Sequence, residues 1–315
     1  DIERWGGKFM KGWDKRREER YQRQMEMDLF GKKYPLTPMN PLVPEWDSLS
    51  EEQKEQSDLI MAIYAACIER IDKSVGHLVQ SLKQKGVFDN TYIIFLSDNG
   101  GNPEGSLFGR CTGKNPGDVK SSVFIGHAWA GLTTTPFFMY KHHTHEGGTA
   151  SPTIISFPKA IDKKKNGTVV NTPMHIIDVM ATMVDYGKAK YPKQYKNRDV
   201  TPMQGVSMRP VFEGGKLDRK DPIFFEHENN WAMREGDWKI VRENSEEWQL
   251  YNIKNDRTEM NNLAASNPLK LNEMLRKFDK MVEKTGAKGL PFETKSWFVK
   301  VKDYTKKMNI NNNNK

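Results

Sequence analysis

IIFLSDNGG (residues 93–101) joins a short apolar run to two oxygen-bearing side chains, Asp98 and Asn99, and a pair of glycines. The apolar residues predict a buried β-strand over residues 92–96. In open α/β sheets the carboxyl end of such a strand is where ligands bind. An Asn-Gly pair also has the chemistry of a tight turn. The segment alone therefore allows two interpretations, a simple turn or a site at a strand end.

The residues before this strand predict a long amphipathic helix. Ser50 and Gln53 have the spacing of a capping box, and Gly86 is suited to end the helix. Apolar residues recur at helical spacing from Leu59 to Leu82, and Cys67 lies among them, so we expect Cys67 in the core. Helix, short turn and buried strand form the repeating unit of an α/β sheet, which predicts the α/β class.

The segments around this unit predict the remaining elements. A charged helix is expected within residues 11–31, then a proline-rich connector over 34–46. A glycine-rich loop over 100–131 leads to a second buried strand in SPTIISFP (151–158). A further helix is expected to begin with Thr172 as its cap and Pro173 in its first turn, and to end at Gly187.

The pattern of apolar and polar residues changes after about residue 205. Apolar and polar residues alternate over 221–253, which predicts a small antiparallel sheet. An amphipathic helix is expected over 267–286, and MNINNNNK (308–315) is expected to be a frayed tail. The sequence thus predicts a larger α/β part, residues 1–204, and a smaller α+β part, residues 205–315.

Composition excludes some classes of function. The chain has 315 residues, 37% of them hydrophobic, and no apolar run approaches the ~18 residues of a membrane helix, so no membrane span is expected. The net charge of +8 is spread over short lysine runs without a nucleic-acid motif, so nucleic acid is not an expected partner. The chain begins with Asp1 and shows no signal-peptide pattern, which suggests a fragment or a processed product.

TPFFMYKHHTHEGGTASPTIISFP (135–158) holds a lysine and three histidines just before the second strand. His142, His143 and His145 invite a zinc interpretation. Their spacing does not match a helical HExxH and no second cluster completes a tetrahedral set, so the sequence does not favour zinc. Lys141 is either a surface lysine or a mobile cation suited to an anionic ester oxygen.

Six ordered blocks together resemble one family, the type I (formylglycine-dependent) sulfatases, or arylsulfatases. The blocks are GWDKRREERYQRQ (12–24), VPEWDSLSEEQ (43–53), YAACIERIDKSVGHLVQSLKQKGVFDNTYIIFLSDNGG (64–101), TPFFMYKHHTHEGGTASPTIISFPKAI (135–161), MREGDWKIV (233–241) and WQLYNIKNDRTEMNNLA (248–264). The resemblance covers the C-terminal part of such proteins. It implies an alkaline-phosphatase-like α/β sandwich, incomplete at the N-terminus, with a small C-terminal antiparallel sheet plus helix. The activity implied is sulfuric ester hydrolysis.

The resemblance also implies roles for three residues. Asp98 and Asn99 match an Asp-Asn pair that ligates calcium, an ion that prefers hard oxygen ligands. Lys141 matches a catalytic lysine that binds the substrate's sulfate, and His145 is only a candidate for lining the pocket.

The chain departs from the family at the nucleophile. The family's cysteine or serine stands in a C/S-x-P/A-x-R signature and is oxidised to formylglycine, whereas Cys67 lies in CIERI and Cys111 in CTGKN. The nucleophile and the first acidic metal pair are therefore expected upstream of this chain, and the chain alone is expected to be inactive.

In the complete enzyme, the resemblance implies attack on sulfur by a formylglycine hydrate and loss of an aryl or carbohydrate alcohol that takes a proton from a histidine. The family implies a periplasmic or secreted location. Two alternatives remain open. One is a phosphatase or phosphodiesterase on the same fold, and the other is a non-catalytic binding protein for sulfated glycans.

Overall fold

The structure is a computed structural model that describes residues 1–244 and 246–288, so the predicted tail over 308–315 lies outside the described residues. The helices are α1 (Ile2–Trp5), α2 (Gly12–Glu26), α3 (Glu51–Gln84), α4 (Gly126–Thr133), α5 (Glu146–Thr149), α6 (Ile177–Tyr186), α7 (Arg209–Phe212) and α8 (Pro268–Thr285). The strands are β1 (Ile93–Leu96), β2 (Arg110–Thr112), β3 (Ser122–Phe124), β4 (Thr153–Ser156), β5 (Gln194–Tyr195), β6 (Arg198–Asp199), β7 (Ile223–His227), β8 (Asn230–Glu235), β9 (Trp238–Arg242) and β10 (Gln249–Asn252).

The chain divides into two compact units. Unit 1 comprises residues 1–75, 99–152 and those from 224 on, and unit 2 comprises residues 76–98 and 153–223. The predicted division into residues 1–204 and 205–315 stays a prediction. Among the described helices, none is both long and apolar enough to cross a bilayer.

Helix α3 begins as the sequence predicts. The Ser50 backbone N–H donates to Gln53 Oε1 (2.9 Å) and the Gln53 N–H donates to Ser50 Oγ (3.3 Å), so the capping box is formed. Gly86 follows the helix with φ 68°, a left-handed conformation that glycine adopts without strain. The prediction that Cys67 is in the core is wrong. The buried residues of α3 end at Ala66, so the helix runs past its packing partners and leaves Cys67 exposed.

The N-terminal core of unit 1 is built on three tryptophans. The ring of Trp13 on α2 lies 4.8 Å from that of Trp46 and 5.4 Å from that of Trp129 on α4, in edge-to-face arrangements that aromatic pairs prefer. The Trp13 indole N–H donates to the Pro44 carbonyl (3.1 Å). The predicted helix within 11–31 is therefore confirmed, and its apolar face fixes the proline-rich connector.

The C-terminal part of unit 1 contains a four-stranded sheet in the order β10-β9-β8-β7. Its β8–β9 and β9–β10 ladders are antiparallel, as the alternation predicts. Met233, Ile240 and Leu250 are fully buried on this sheet. Helix α8 packs on them through Met274 and Phe278, which confirms the predicted sheet and amphipathic helix.

Unit 2 contains the strand of the opening segment. β1 pairs antiparallel with β4, with Ile94 opposite Ile155, so both predicted strands exist. The prediction that they are buried is wrong, since Phe95 is 46% and Ile154 is 67% exposed. Within the described residues these two strands form a sheet by themselves, and its outer face is uncovered.

The helix expected from Thr172 begins later, at Ile177, and ends before Gly187 as predicted. Its start is set by the buried Asp178, whose carboxylate accepts from the backbone N–H groups of His175 (2.7 Å) and Val206 (3.0 Å). These bonds fix the segment just before residue 177, which is not helical. A long-range partner therefore overrides the local Thr-Pro signal.

Candidate functional site

The loop that follows β1 lies against the segment that carries Lys141. The Gly100 N–H donates to the Gly148 carbonyl (3.0 Å), and the Lys141 N–H donates to the Gly101 carbonyl (3.1 Å). Two regions about forty residues apart in sequence are thus joined by backbone hydrogen bonds. In this pairing Lys141 is bonded to Gly101, which lies two residues after Asn99.

Glycine is needed where these two segments meet. A Cβ on Gly100 would lie 1.8 Å from the Gly147 carbonyl oxygen, and a Cβ on Gly147 would lie 2.0 Å from that of Met139. These distances are far inside contact range, and backbone atoms cannot move aside cheaply. The glycines of SDNGG and HEGG therefore permit the close approach that positions Lys141.

Asp98 and Asn99 follow β1 as predicted. The Asp98 side chain is exposed, and Asn99 is half-buried. The Asn99 amide nitrogen donates to the Gly100 carbonyl (2.8 Å). Carboxylate and amide oxygens fit calcium chemically. Because calcium takes about 6–8 oxygen ligands, this pair can supply only part of a site.

Lys141 is an ion-paired residue of the loop rather than a solvated lysine. Its Nζ donates to Glu104 Oε1 at 2.9 Å, and the two side chains are 30% and 34% exposed. The hydrogen bond from Lys141 is the main reason that the pKa of Glu104 lies below its ordinary value. The cation is therefore held in place, and its charge is partly neutralised by Glu104.

The three histidines of the segment do not converge. His143 and His145 are buried and both donate from Nδ1 to Glu243 Oε1, the latter at 3.0 Å. His142 has a left-handed backbone (φ 79°), and its Nδ1 lies 3.1 Å from His227 Nε2. A zinc site made of His142, His143 and His145 is thus excluded by geometry. His145 is 1% exposed, so the expectation that it lines a pocket is not supported.

Glu243 is a partner that sequence reasoning missed. Burial by itself raises the pKa of this carboxyl, but the adjacent His143 and His145 outweigh burial and hold the pKa below its ordinary value. The same contact, with the charge of Glu259, raises the pKa of His145 although burial opposes it. Glu243 lies about one hundred residues from the histidines, so no local pattern points to it.

A buried ionic cluster fixes the beginning of α5. Lys239 Nζ lies 2.9 Å from Glu146 Oε1 and 3.0 Å from Glu259 Oε1, and the Lys239 side chain is fully buried. The Glu146 backbone N–H also donates to Glu259 Oε2 (2.6 Å). Arg234 and Arg257 approach Glu146 Oε2 at 3.8 and 3.7 Å. The cluster holds the HEGG turn from the C-terminal sheet, and Lys239 on an alternating strand gives no local signal of burial.

Two family models and two curated relatives show what this chain is similar to. Residues 15–189 match the model of the Sulfatase family, and residues 137–287 match that described as N-sulphoglucosamine sulphohydrolase, C-terminal. The chain is 30% identical over 296 residues to an uncharacterized sulfatase of Schizosaccharomyces pombe, covering 87% of this chain and 52% of that protein. It is 29% identical over 221 residues to an arylsulfatase of Klebsiella aerogenes, covering 67% and 47% respectively.

A solved structure extends the likeness to the fold. It is a protein in complex with its substrate D-glucosamine-2-N,6-O-disulfate, with a TM-score of 0.52, 22% identity, and coverage of 75% of this chain and 43% of that one. The predicted alkaline-phosphatase-like α/β class with a small C-terminal sheet plus helix is confirmed. The chain spans about half the length of the curated relatives it matches. Because the family model matches more than half of its residues, the chain belongs to the sulfatase family.

Proposed function

We propose that this chain is part of a sulfuric ester hydrolase in which Lys141 binds the sulfate of the substrate and Asp98 and Asn99 ligate a calcium ion. The observation that carries the proposal is the hydrogen bond from the Lys141 N–H to the Gly101 carbonyl (3.1 Å). This bond supports a common site for Asp98, Asn99 and Lys141, because Gly101 directly follows the Asp-Asn-Gly run and its carbonyl accepts from the Lys141 backbone.

Lys141 acts in this proposal as a positioned cation. A sulfate ester develops negative charge on the leaving oxygen as the S–O bond breaks, so a nearby ammonium stabilises the transition state more than the ground state. Glu104 holds the ammonium before substrate arrives (2.9 Å). In the complex, a sulfate oxygen takes the place of the Glu104 carboxylate at the Lys141 ammonium or binds beside it.

Asp98 and Asn99 are proposed as calcium ligands because of the oxygen atoms that they carry. Asp98 offers an exposed carboxylate and Asn99 an amide oxygen, both hard ligands. A calcium ion bound there supplies a Lewis acid that polarises sulfate oxygens and orients the ester. Cys67 and Cys111 stand outside the family's nucleophile signature, so the proposal assigns neither as nucleophile.

The substrate class proposed is a sulfate ester of an aryl or carbohydrate alcohol. The structural relative bound to a sulfated glucosamine supports the carbohydrate option. The relative from Klebsiella aerogenes, named an arylsulfatase, supports the aryl option. Both share the sulfate group, which is the part that Lys141 would contact.

The test uses the complete protein encoded by the gene from which this chain comes. Turnover of an aryl sulfate, a sulfated glucosamine and an aryl phosphate is compared for wild type, Lys141→Ala and Lys114→Ala, where Lys114 is an exposed loop lysine. Loss of one electrostatic contact to the transition state typically lowers the rate about 100- to 1000-fold, so Lys141→Ala should lower kcat by that factor and Lys114→Ala should not.

Three results would contradict the proposal. A folded Lys141→Ala protein with unchanged kcat removes Lys141 from the site. Faster turnover of the phosphate than of either sulfate supports a phosphatase. Binding of sulfated glycans without turnover supports the non-catalytic alternative. The melting temperature of each variant shows whether the substitution acts on the rate or on the fold.

A further inference from the structure

Two imidazoles and a carboxylate converge beside Lys141. Ligand atoms of His142, His227 and Glu228 all lie within 4.8 Å of one another. His142 Nδ1 is 3.1 Å from His227 Nε2 and 4.0 Å from Glu228 Oε2. We propose that these three residues form a binding site for a transition-metal ion of the Zn²⁺ class, separate in its ligands from the proposed calcium pair Asp98 and Asn99.

The spacing of the three ligand atoms suits zinc. Zinc binds histidine nitrogen and carboxylate oxygen at about 2.0–2.2 Å in tetrahedral geometry, which puts two ligand atoms about 3.3–3.5 Å apart. The observed separations of 3.1 and 4.0 Å lie on either side of that value. All three atoms lie within 4.8 Å of one another, so small side-chain rotations would bring them to the distances of a three-ligand set.

A hydrogen bond from the Asn230 side chain holds the two halves of the site together. His142 comes from the Lys141 segment, whereas His227 and Glu228 come from the end of β7 and the turn that follows it. The buried Asn230 donates from Nδ2 to the His142 carbonyl (2.7 Å), which ties that turn to the His142 segment. The ligands are thus pre-positioned by the fold and not brought together by the metal alone.

Glu104 lies where a metal-bound histidine would need an outer partner. Its Oε1 is 3.6 Å from His142 Nε2, whereas His227 faces His142 Nδ1. A metal-ligating histidine nearly always donates its other N–H to a carboxylate, a carbonyl or water, which fixes the tautomer. Here a proton on Nε2 would face Glu104 and leave the Nδ1 lone pair directed at the metal position.

The ligand chemistry selects the class of ion. Imidazole nitrogens suit zinc, copper and nickel, whereas calcium and magnesium prefer all-oxygen sets. Three protein ligands leave a fourth tetrahedral position for water or for an oxygen of a bound molecule, as in catalytic zinc sites. The exposure of His227 lets an ion enter from solvent. Glu104 lies near both His142 and Lys141. An ion bound to His142 would therefore reduce the negative electrostatic potential that Glu104 produces at Lys141.

The experiment measures metal binding by the untagged 315-residue chain after chelator treatment. Competition with a chromogenic zinc chelator should show one tightly bound Zn²⁺ per chain, and Co²⁺ should give the intense visible bands of a tetrahedral site. Calcium in excess should not displace either ion. His227→Ala should weaken zinc binding by more than about 10-fold, and Glu104→Gln by about 10-fold.

His77→Ala is the matched control, because His77 is an exposed histidine of α3 outside the cluster. Glu228→Gln keeps side-chain size and removes the carboxylate charge, so it tests the site even if His227→Ala unfolds. Absence of stoichiometric zinc in the wild type overturns the proposal. So does equal zinc affinity in Glu228→Gln, His227→Ala and His77→Ala. None of these readouts depends on sulfatase activity.

Discussion

Replacement of Lys239 by methionine removes the central cation of the buried cluster. Lys239 is fully buried between the carboxylates of Glu146 (2.9 Å) and Glu259 (3.0 Å). Methionine has a similar length and an unbranched stem, so the change leaves little empty volume. Its main effect is therefore electrostatic, because two carboxylates that shared one ammonium then face each other without it.

The magnitude follows from the partners that remain. Removal of one partner from a buried pair typically destabilises a protein by 3–5 kcal/mol. Arg234 and Arg257, at 3.8 and 3.7 Å, still offset the Glu146 charge, which favours the lower end of that range. We expect Lys239→Met to lower the free energy of unfolding by about 3 kcal/mol at pH 7, or the melting temperature of unit 1 by about 6–12 °C.

The decrease in the free energy of unfolding caused by Lys239→Met should become larger as pH rises. Burial raises the pKa of Glu259 above its ordinary value even though Lys239 opposes this. Without Lys239 that pKa rises further, so the folded variant binds a proton that the unfolded chain releases. A carboxyl with a raised folded pKa loses stability as pH rises from about 4.5 through the folded pKa. The difference between wild type and Lys239→Met should therefore be smaller at pH 5 than at pH 7.

Tryptophan fluorescence is a suitable assay, because unit 2 contains no tryptophan and the signal therefore reports unit 1. Urea unfolding at pH 5 and pH 7 gives the two free energies. Lys277→Met is the control. Lys277 on α8 pairs with Glu235 on β8 and with Glu273 on α8, but its side chain is 37% exposed. Exposed pairs contribute about 0–1 kcal/mol, so the control should lose little.

Two outcomes would refute this reasoning. One is a loss in Lys239→Met no larger than that in Lys277→Met. The other is a loss that is the same at pH 5 and pH 7. Addition of Glu259→Gln to Lys239→Met should recover part of the stability, because it removes the carboxylate whose partner was deleted. No recovery would show that packing, not charge, dominates.

Three further predictions concern activity, metal and pH. The purified 315-residue chain should hydrolyse no aryl sulfate, because neither cysteine stands in the nucleophile signature, and turnover above a heat-killed sample would contradict this. It should bind calcium only weakly, because Asp98 and Asn99 supply few of the ~6–8 oxygens required, and tight binding in calorimetry would count against the assignment. Burial by itself lowers the pKa of His145, but the charge of Glu243 outweighs burial and the pKa is raised. The folded state therefore keeps a proton on His145 above pH ~6.5 that the unfolded chain releases. The stability difference between wild type and His145→Gln should therefore shrink between pH 6 and pH 8, and a constant or growing difference in urea unfolding would show the opposite sign.

Local signals in the sequence predicted the elements whose ends are set locally. The Ser50–Gln53 capping box, the left-handed Gly86 and the alternation that forms β8 and β9 each depend on neighbouring residues, and each is found in the structure. The start of α6 could not be predicted in this way. It depends on Asp178, whose buried carboxylate binds Val206, a residue 28 positions away.

Burial was harder to predict than secondary structure. Cys67 and Phe95 belong to apolar patterns that helical or strand spacing identifies, yet both are exposed among the described residues. Lys239 shows the reverse, a lysine on an alternating strand that is fully buried. A pattern shows which face of an element is apolar, whereas burial depends on what packs against that face.

The candidate site illustrates the same distinction between local and long-range determinants. Asp98, Asn99 and Lys141 could be selected from sequence, and the close approach of Gly100 and Gly147 shows why glycines stand beside them. The residues that hold the lysine segment in place could not, because they come from strands and loops about 85–115 positions further along the chain.

Those long-range contacts give the C-terminal sheet a role at the site. Lys239 and Glu259 hold Glu146, Glu243 holds His143 and His145, and Asn230 holds the His142 carbonyl. All of these supports lie between residues 230 and 259, and all contact residues within five positions of Lys141. The C-terminal sheet therefore does more than cover a core, because it fixes the segment from which Lys141 extends. Substitutions in β9 that leave every proposed ligand intact should for this reason change the position of Lys141 as well as the stability of unit 1.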